Sequence, residues 1–298
     1  MISVLIPVYN YNISELVFEV HKQLTKTKSP FEIICLDDCS TNSDLQEANK
    51  IINTLSHSRY VILKNNIGRS AIRNQLAQEA AYEWCLFLDA DVIPKHTNFI
   101  ERYLEAISEK TEIIYGGILY EENRVSDSSL LRWVYGNERE ALPTETRKKN
   151  KYLSFLTLSF LIHKRVFGKV RFNEDIPNLR HEDTLFSYNL KEQNIEIEHI
   201  ENPVYHLGIE NSETFLQKSL DSVKAIDLFV KKGLLPSNYT KITKVYASIK
   251  NNGISKLLAA IYLKHENIFI KNLLGQKPSL KLFDLYRLSY YCYINSKK

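Results

Sequence analysis

The chain has 298 residues, which is enough for one large domain with an appendage or for two modest domains. Its 44% hydrophobic and 25% charged residues exclude a disordered or fibrous protein and indicate a globular fold. No apolar stretch approaches the roughly 20 residues that a membrane span requires. The longest, residues 153–162, is interpreted as a buried strand.

The net charge of +4 is unevenly distributed along the chain. Residues 250–298 contain nine Lys or Arg against two acids, a charge of +7, so residues 1–249 carry −3. No basic leader precedes the first apolar segment, so we expect the protein to stay in the cytoplasm. The four cysteines show no CxxC pairing and are interpreted as reduced thiols.

Short apolar runs alternate with helical patterns in the first part of the chain. Buried strands are predicted for residues 2–6, 32–36, 60–63 and 84–88. Helices with serine caps are predicted between them, for residues 14–24, 43–55 and 70–80. This β-α order predicts a mostly parallel sheet covered by helices.

The second part of the chain is less regular. The polar segment 121–151 is interpreted as a mobile excursion over the site. A loop that ends at residue 183 leads into a predicted helix to residue 191, and strand-like stretches follow near 195–199 and 203–206. Beyond residue 210 the pattern is mainly helical.

Two carboxylates follow the predicted strand 84–88. If the extended backbone continues, Asp89 and Asp91 leave on the same face. Ligands bind beyond the carboxyl ends of strands in such sheets, and oxygen ligands favour Mg²⁺ or Mn²⁺. The pair therefore predicts a cation site that bridges two phosphates. Because Asp-x-Asp is short and common, a solvated loop is the alternative.

A second acidic pair, Asp37 and Asp38, follows the second predicted strand. With Asp89 and Asp91 it would place four carboxylates at one sheet edge, which requires a cation or hydrogen-bond donors to offset the repulsion. A simple Asx turn is the alternative.

The third predicted helix begins with glycine and arginine. Gly68, Arg69 and Arg73 suit an anion site at a helix N-terminus. A plain turn with surface arginines is the alternative.

Two later residues are candidates for chemistry. Asp183 lies at a predicted helix start, where acids suit the helix dipole, and is a candidate base for a hydroxyl nucleophile. His206 follows a short apolar run and would complete a metal shell begun by Asp91. A core or surface histidine is the alternative for His206.

The order of these motifs resembles family 2 glycosyltransferases of the GT-A fold, particularly bacterial enzymes that build surface polysaccharides. The resemblance covers roughly residues 1–210. The matching motifs are Pro7-Val8-Tyr9-Asn10, Asp37-Asp38-Cys39-Ser40, Asn66-Ile67-Gly68, Ala71-Ile72-Arg73-Asn74, Asp89-Ala90-Asp91, Gly168-Lys169-Val170-Arg171-Phe172, His181-Glu182-Asp183 and Asn202-Pro203-Val204-Tyr205-His206.

The resemblance implies an α/β fold for this chain. It implies a GT-A domain over residues 1–210, with a Rossmann-like mixed sheet flanked by helices. A mainly helical, basic and aromatic extension would follow over residues 211–298.

The resemblance also implies roles for individual residues. Pro7 and Tyr9 would line the nucleobase pocket, and Asp37 would hydrogen-bond the base, usually uracil. Asn66 and Arg73 would bind the donor, with Arg73 on its diphosphate side.

The resemblance also implies which residues lie at the reacting end of the site. Asp89 would reach the ribose or sugar, Asp91 would ligate Mn²⁺ or Mg²⁺, and His206 would be a further ligand. Asp183 would be the base. Two positions depart from the family pattern, since Cys39 replaces the usual glycine and Ile72 the usual alanine.

The implied activity is inverting, metal-dependent transfer of a hexosyl or N-acetylhexosaminyl group. The donor would be a nucleotide-diphospho-sugar, most simply a UDP-sugar, and the acceptor a glycan or lipid-linked glycan hydroxyl. A catalytically silent sugar-nucleotide or glycan-binding protein on the same fold is the alternative. An oxidoreductase ranks low because Pro7 stands where a dinucleotide-binding GxGxxG would begin.

The basic C-terminal extension mixes leucines and isoleucines with lysines, and it contains five tyrosines from Tyr262 onward. This chemistry fits peripheral contact with the inner face of a membrane. Packing on the catalytic domain or on a second copy is the alternative, and no motif indicates nucleic acid. In the segment 121–151, Trp133 and Tyr135 are candidates for sugar contacts or for core packing.

Overall fold

The computed structural model describes residues 1–122, 125–176 and 180–296. The strands assigned there are β1 (Ile2–Val8), β2 (Phe31–Asp37), β3 (Ser58–Ile62), β4 (Trp84–Leu88), β5 (Val92–Pro94), β6 (Ile113–Tyr115), β7 (Ile118–Leu119), β8 (Ser159–His163), β9 (Ile197–His199) and β10 (Val204–His206). The α-helices assigned there are α1 (Ser14–Lys26), α2 (Ser43–Asn49), α3 (Arg69–Glu79), α4 (Phe99–Glu105), α5 (Leu130–Tyr135), α6 (Thr144–Lys149), α7 (Lys164–Phe167), α8 (Glu182–Glu192), α9 (Ser212–Lys231), α10 (Lys241–Ile249), α11 (Ile254–Leu273) and α12 (Leu280–Ser296).

The main sheet is mixed, and its strand order is β3-β2-β1-β4-β8-β6-β9. β1 pairs in parallel with β2 and β4, and β2 pairs in parallel with β3. The carboxyl ends of these four strands therefore meet at one edge. β8 runs antiparallel to both β4 and β6, which makes the sheet mixed. A smaller sheet has the order β5-β10-β7.

Helices cover both faces of the main sheet, which is why its central strands are almost entirely apolar. Successive side chains of β1 point to opposite faces. Val4 and Ile6 belong to the core on the α1 side, whereas Leu5 belongs to the core that contains buried residues of α3. The α/β fold class implied by the resemblance is confirmed.

The predicted serine caps are wrong. Asn42 caps α2, because its side-chain oxygen accepts hydrogen bonds from the backbone N–H groups of Asp44 and Leu45. α1 begins after Ile13, and α3 begins after Gly68, neither with a side-chain cap. The predicted helix 43–55 is also two pieces, since α2 ends at Asn49 and a 3₁₀ turn continues over Lys50–Thr54.

The predicted strand 153–162 is correct only in its last residues, where β8 begins at Ser159. The backbone N–H of Ser154 donates to the carbonyl of Asn150, and that of Phe155 donates to the carbonyl of Tyr152. Residues 151–154 and 157–158 lie in turns, so this part of the apolar stretch does not form a strand.

The chain packs as two compact units. The first contains Met1–Glu121, Glu140–Asn178 and Glu182–Gly208 and holds both sheets. The second contains Glu122–Arg139, Leu179–His181 and Ile209–Lys298, and in it α11 packs along α12. No helix in the described ranges is both long and apolar enough to cross a bilayer. The domain boundary after residue 210 stays a prediction.

Candidate active site

The loops after β1 and β2 are tied together by Asn10. Its side-chain oxygen accepts hydrogen bonds from the backbone N–H groups of Thr41 (2.9 Å) and Asn42 (3.1 Å). Its own backbone N–H donates to the Ser40 hydroxyl at 2.7 Å. Asn10 has a φ of +50°, a left-handed conformation that asparagine tolerates better than most residues. This residue fixes the loop that carries Tyr9.

Asp37 ends β2 with its carboxylate fully engaged inside the protein. The side chain accepts a 2.6 Å hydrogen bond from the Ser40 backbone N–H and another from the Tyr60 hydroxyl. Burial and the hydrogen bond to Asp37 raise the pKa of Tyr60. Asp37 is therefore held rigidly at the sheet edge, and its contact with a nucleobase stays a prediction.

Asp38 shapes the loop after β3. Its carboxylate accepts hydrogen bonds from the backbone N–H groups of Ile67 (2.6 Å) and Gly68 (3.0 Å). The side-chain amide of Asn66 donates to the Asp38 carbonyl at 2.9 Å. These donors offset the negative charge of Asp38, as the crowding of carboxylates requires. The predicted donor contact of Asn66 stays a prediction.

The two departures from the family pattern have different surroundings. Cys39 has a φ of +59°, a conformation that favours glycine, so the thiol side chain is held in a strained turn. Ile72 is 2% exposed and packs into the core behind α3. Of the predicted base-pocket residues, Pro7 is half-buried in β1 and Tyr9 is exposed just after it.

Arg73 joins carboxylates from two distant parts of the chain. Its Nη2 donates to Asp89 Oδ1 at 2.7 Å, and its Nη1 lies 3.7 Å from Glu182 Oε1. Arg69 Nη1 lies 3.7 Å from the same Glu182 oxygen. The Arg73 side chain is 6% exposed, and its guanidinium lies over the Phe172 ring. A buried arginine is thus held in place beside Asp89.

The charged side chains of this cluster shift one another's pKa values. Burial alone would lower the pKa of Arg73, but the charges of Asp89 and Glu182 outweigh it and raise that pKa. Burial and the charge of Asp91 raise the pKa of Asp89, and Arg73 opposes the rise. The two aspartates therefore interact, so their negative charges lie close together at the end of β4.

Asp89 and Asp91 have different partners, contrary to the simple one-face expectation. The chain turns between β4 and β5, so the extended geometry does not continue through both residues. Asp91 Oδ2 lies 3.1 Å from His206 Nε2, because β10 runs antiparallel to β5 with His206 opposite Val92. The Leu207 backbone N–H donates to the Asp91 carbonyl at 2.8 Å.

Small and aromatic neighbours confine the Asp91–His206 pair. A Cβ atom at Gly208 would lie 2.9 Å from Asp91 Cγ, so only glycine leaves room for the carboxylate where it is. The Tyr120 ring stands edge-on to the His206 ring, with centroids 5.6 Å apart. The His206 imidazole is 14% exposed. A side chain at position 208 would therefore displace the Asp91 carboxylate.

The Asp91–His206 pair fits a divalent cation. Ligands about 2.1 Å from an octahedral ion lie about 3 Å from a neighbouring ligand, which matches the 3.1 Å separation. In the described part of the chain, no group of three His, Cys, Asp or Glu side chains forms a closed metal cage. Mg²⁺ is usually held by one or two protein ligands together with substrate phosphates, so two ligands suffice.

Asp183 lies in the first turn of α8, one residue after Glu182. Its Oδ1 accepts a 2.7 Å hydrogen bond from the Thr184 backbone N–H. Burial and the charge of Glu140 raise the pKa of Asp183, while Thr184 and Arg73 oppose the rise. Asp183 is therefore electrostatically coupled to the Arg73 cluster. A carboxylate with a raised pKa is a stronger base at neutral pH than an ordinary one.

Several residues of this region were not predicted from the sequence. Glu182 belongs to the same sequence motif as Asp183. Its ion pair with Arg73 was not predicted, because tertiary packing brings these two residues together. Glu140 accepts a hydrogen bond from the Tyr120 hydroxyl, and its charge contributes to the raised pKa of Asp183. Glu140 and Tyr120 lie in segments without a periodic sequence pattern, so neither was predicted.

Comparison with known proteins identifies several glycosyltransferases as relatives of this chain. The family model described as Glycosyl transferase family 2 matches residues 3–174. The poly(ribitol-phosphate) beta-N-acetylglucosaminyltransferase TarS of Staphylococcus aureus is 36% identical over 91 residues, which are 30% of this chain and 16% of TarS. The putative teichuronic acid biosynthesis glycosyltransferase TuaG of Bacillus subtilis is 26% identical over 183 residues, covering 60% of this chain and 67% of TuaG.

Solved structures share the fold. The crystal structure of S. aureus TarS 1–349 in complex with UDP has a TM-score of 0.52 and 21% identity, covering 99% of this chain and 91% of that chain. The mannosyltransferase PcManGT from Pyrobaculum calidifontis, in complex with GDP-Man and Mn²⁺, has a TM-score of 0.60 and 12% identity, covering 99% and 86%. Because the family model matches more than half of its residues, the chain belongs to glycosyl transferase family 2.

Proposed function

We propose that this chain transfers a sugar from a nucleotide-diphospho-sugar, with UDP as the carrier, to a hydroxyl group of a cell-surface polymer or lipid-linked glycan. The observation that carries the proposal is the 3.1 Å approach of Asp91 and His206 beside the Arg73–Asp89 pair. The family assignment supports it, as do the names of TarS and TuaG. TarS itself was crystallised with UDP.

Asp91 and His206 are the residues that we assign to Mn²⁺ or Mg²⁺. When bound there, the cation would neutralise the negative charge that develops on the departing diphosphate. Arg73 places a second, permanent positive charge near this end of the sheet, and Asp89 and Glu182 keep its guanidinium from moving. We assign Asp89, whose side chain is 28% exposed, to the donor ribose or sugar.

Asp183 is the base that we assign to the acceptor hydroxyl. The Thr184 backbone N–H holds one carboxylate oxygen, and the other takes the proton as the hydroxyl oxygen attacks the anomeric carbon. The bond to the diphosphate breaks on the opposite face of the sugar, so the anomeric configuration inverts. Burial and, to a smaller extent, the charge of Glu140 raise the pKa of Asp183, which makes its carboxylate a stronger base at neutral pH.

Release of UDP from a panel of UDP-sugars tests the proposal. We expect release with UDP-N-acetylglucosamine or UDP-glucose in the presence of Mn²⁺ and a polyol-phosphate or glycan acceptor, and its loss with a chelator. Donor binding that is tight and independent of metal, without turnover on any acceptor, would instead identify a silent sugar-nucleotide-binding protein.

The stereochemistry of the product is a second test. A single displacement with Asp183 as base predicts a product with the anomeric configuration opposite to that of the donor, which proton NMR of the first product reads directly. A product that retains the donor configuration would rule out this role for Asp183.

A further inference from the structure

The outward side of α11 carries a row of aliphatic residues. Ile254, Leu257, Ile261 and Ile268 recur at intervals of three, four and seven, which places them along one side of the helix. We call these four residues the aliphatic stripe. Ile254 is 43% exposed, Leu257 61% and Ile268 66%. Three of the four therefore present much of their apolar surface to solvent.

The opposite side of α11 supplies the packing of the second unit. Ala259, Tyr262, Phe269 and Leu273 are buried, and the Tyr262 and Phe269 rings contact aromatic side chains of α12. The aliphatic stripe is thus not needed for the contact between α11 and α12. Its residues lie on a surface that the helical pair leaves open.

The charges of α11 are sorted between the two sides. Lys256, Lys264 and Lys271 are exposed, and none of them forms an ion pair with another described residue. The one acid of α11, Glu266, accepts hydrogen bonds from the hydroxyls of Tyr262 (2.7 Å) and Tyr286 (3.3 Å). Glu266 therefore faces α12, and the outward side of α11 is purely cationic.

We propose that α11 binds the surface of an anionic lipid bilayer. The aliphatic stripe would enter the boundary between headgroups and acyl chains, and the lysines would contact anionic headgroups. The net charge of +7 over residues 250–298 adds to the attraction. A second copy of the chain is a poorer partner, because its own lysines would repel those of the first.

This inference does not depend on the proposed transfer reaction, since vesicle binding is measured without turnover. Full-length protein is sedimented with vesicles of phosphatidylcholine mixed with phosphatidylglycerol and with vesicles of phosphatidylcholine alone. We expect binding to the anionic vesicles only, and a strong decrease when salt is raised, because salt screens surface charge.

Two double variants separate the apolar and the electrostatic contributions. We expect Leu257→Glu with Ile268→Glu to lower the partition coefficient on anionic vesicles at least tenfold. We expect Lys264→Glu with Lys271→Glu to do the same. The control is Leu263→Glu, which introduces one negative charge at a residue that is 62% exposed but lies about 120° around the helix from Leu257. Leu263→Glu should keep wild-type binding.

Three results would contradict the proposal. Absence of binding to anionic vesicles would overturn the proposal, as would an equal loss of binding in Leu263→Glu. Light scattering that shows a dimer in wild type and a monomer in the Leu257 and Ile268 variant would assign the stripe to a second copy instead.

Discussion

Replacing Asp183 with Asn removes the proposed base with the least structural change. Asn keeps an oxygen that accepts the 2.7 Å hydrogen bond from the Thr184 backbone N–H, so the start of α8 should stay in place. General-base catalysis contributes about 10²–10⁴-fold. We therefore expect kcat in Asp183→Asn to fall about 10²–10⁴-fold, which is about 3–5 kcal/mol in activation free energy, while UDP binding is retained.

The same variant should be more stable than the wild type at neutral pH, although its kcat falls. Because burial raises the pKa of Asp183, the folded protein binds that proton more tightly than the unfolded chain. Stability from this group is present below the ordinary carboxyl pKa of about 3.9 and is lost as pH rises through the folded pKa. At neutral pH the ionised carboxylate thus destabilises the fold, and the neutral Asn should raise the Tm.

Steady-state kinetics, calorimetric UDP binding and thermal unfolding provide the three measurements. Glu192→Gln is the matched control, since it makes the same carboxylate-to-amide change at the exposed last residue of α8, and should leave kcat unchanged. Wild-type kcat in Asp183→Asn would refute the assignment of the base. A lowered Tm would refute the electrostatic reasoning.

Three further outcomes follow from the site. Arg73→Met leaves Asp89 and Glu182 without their buried cation and should lower the unfolding free energy in urea by about 3 kcal/mol; unchanged stability would contradict the pairing. Asp91→Asn should weaken Mn²⁺ binding, measured by electron paramagnetic resonance, about tenfold or more; equal binding would place the cation elsewhere. Gly208→Ala puts a methyl group 2.9 Å from Asp91 Cγ and should weaken Mn²⁺ binding while the Tm stays near wild type. Full Mn²⁺ affinity in that variant would show that the Asp91 carboxylate moves freely.

Much of the fold was predictable because its central strands are continuous apolar runs. The bounds of β4 were predicted correctly, and those of β1, β2 and β3 within two residues at either end. β5, β6 and β7 were not predicted, because two or three residues leave only a weak alternation of apolar and polar side chains, whereas the equally short β9 and β10 were predicted as strand-like stretches. The turns at 151–154 and 157–158 were missed for a different reason, since apolar content alone does not separate a strand from a buried loop.

The candidate residues were visible in the sequence, and His206 was expected to act together with Asp91, but the geometry of the contacts was not predictable. The position of Asp89, Asp91 and Asp183 after strands or at a helix start was visible in the sequence. The contact between Asp91 and His206 spans 115 positions and depends on the register of β10 against β5. Similarly, the ion pair between Arg73 and Glu182 depends on tertiary packing that no local pattern encodes.

A crystal structure of the protein with UDP and Mn²⁺ would locate the donor and the cation together. We predict Mn²⁺ bound by the Asp91 carboxylate and His206 Nε2, with the diphosphate on the same ion and the uracil beside Asp37. Mn²⁺ away from both residues, or UDP bound at a different edge of the sheet, would contradict it.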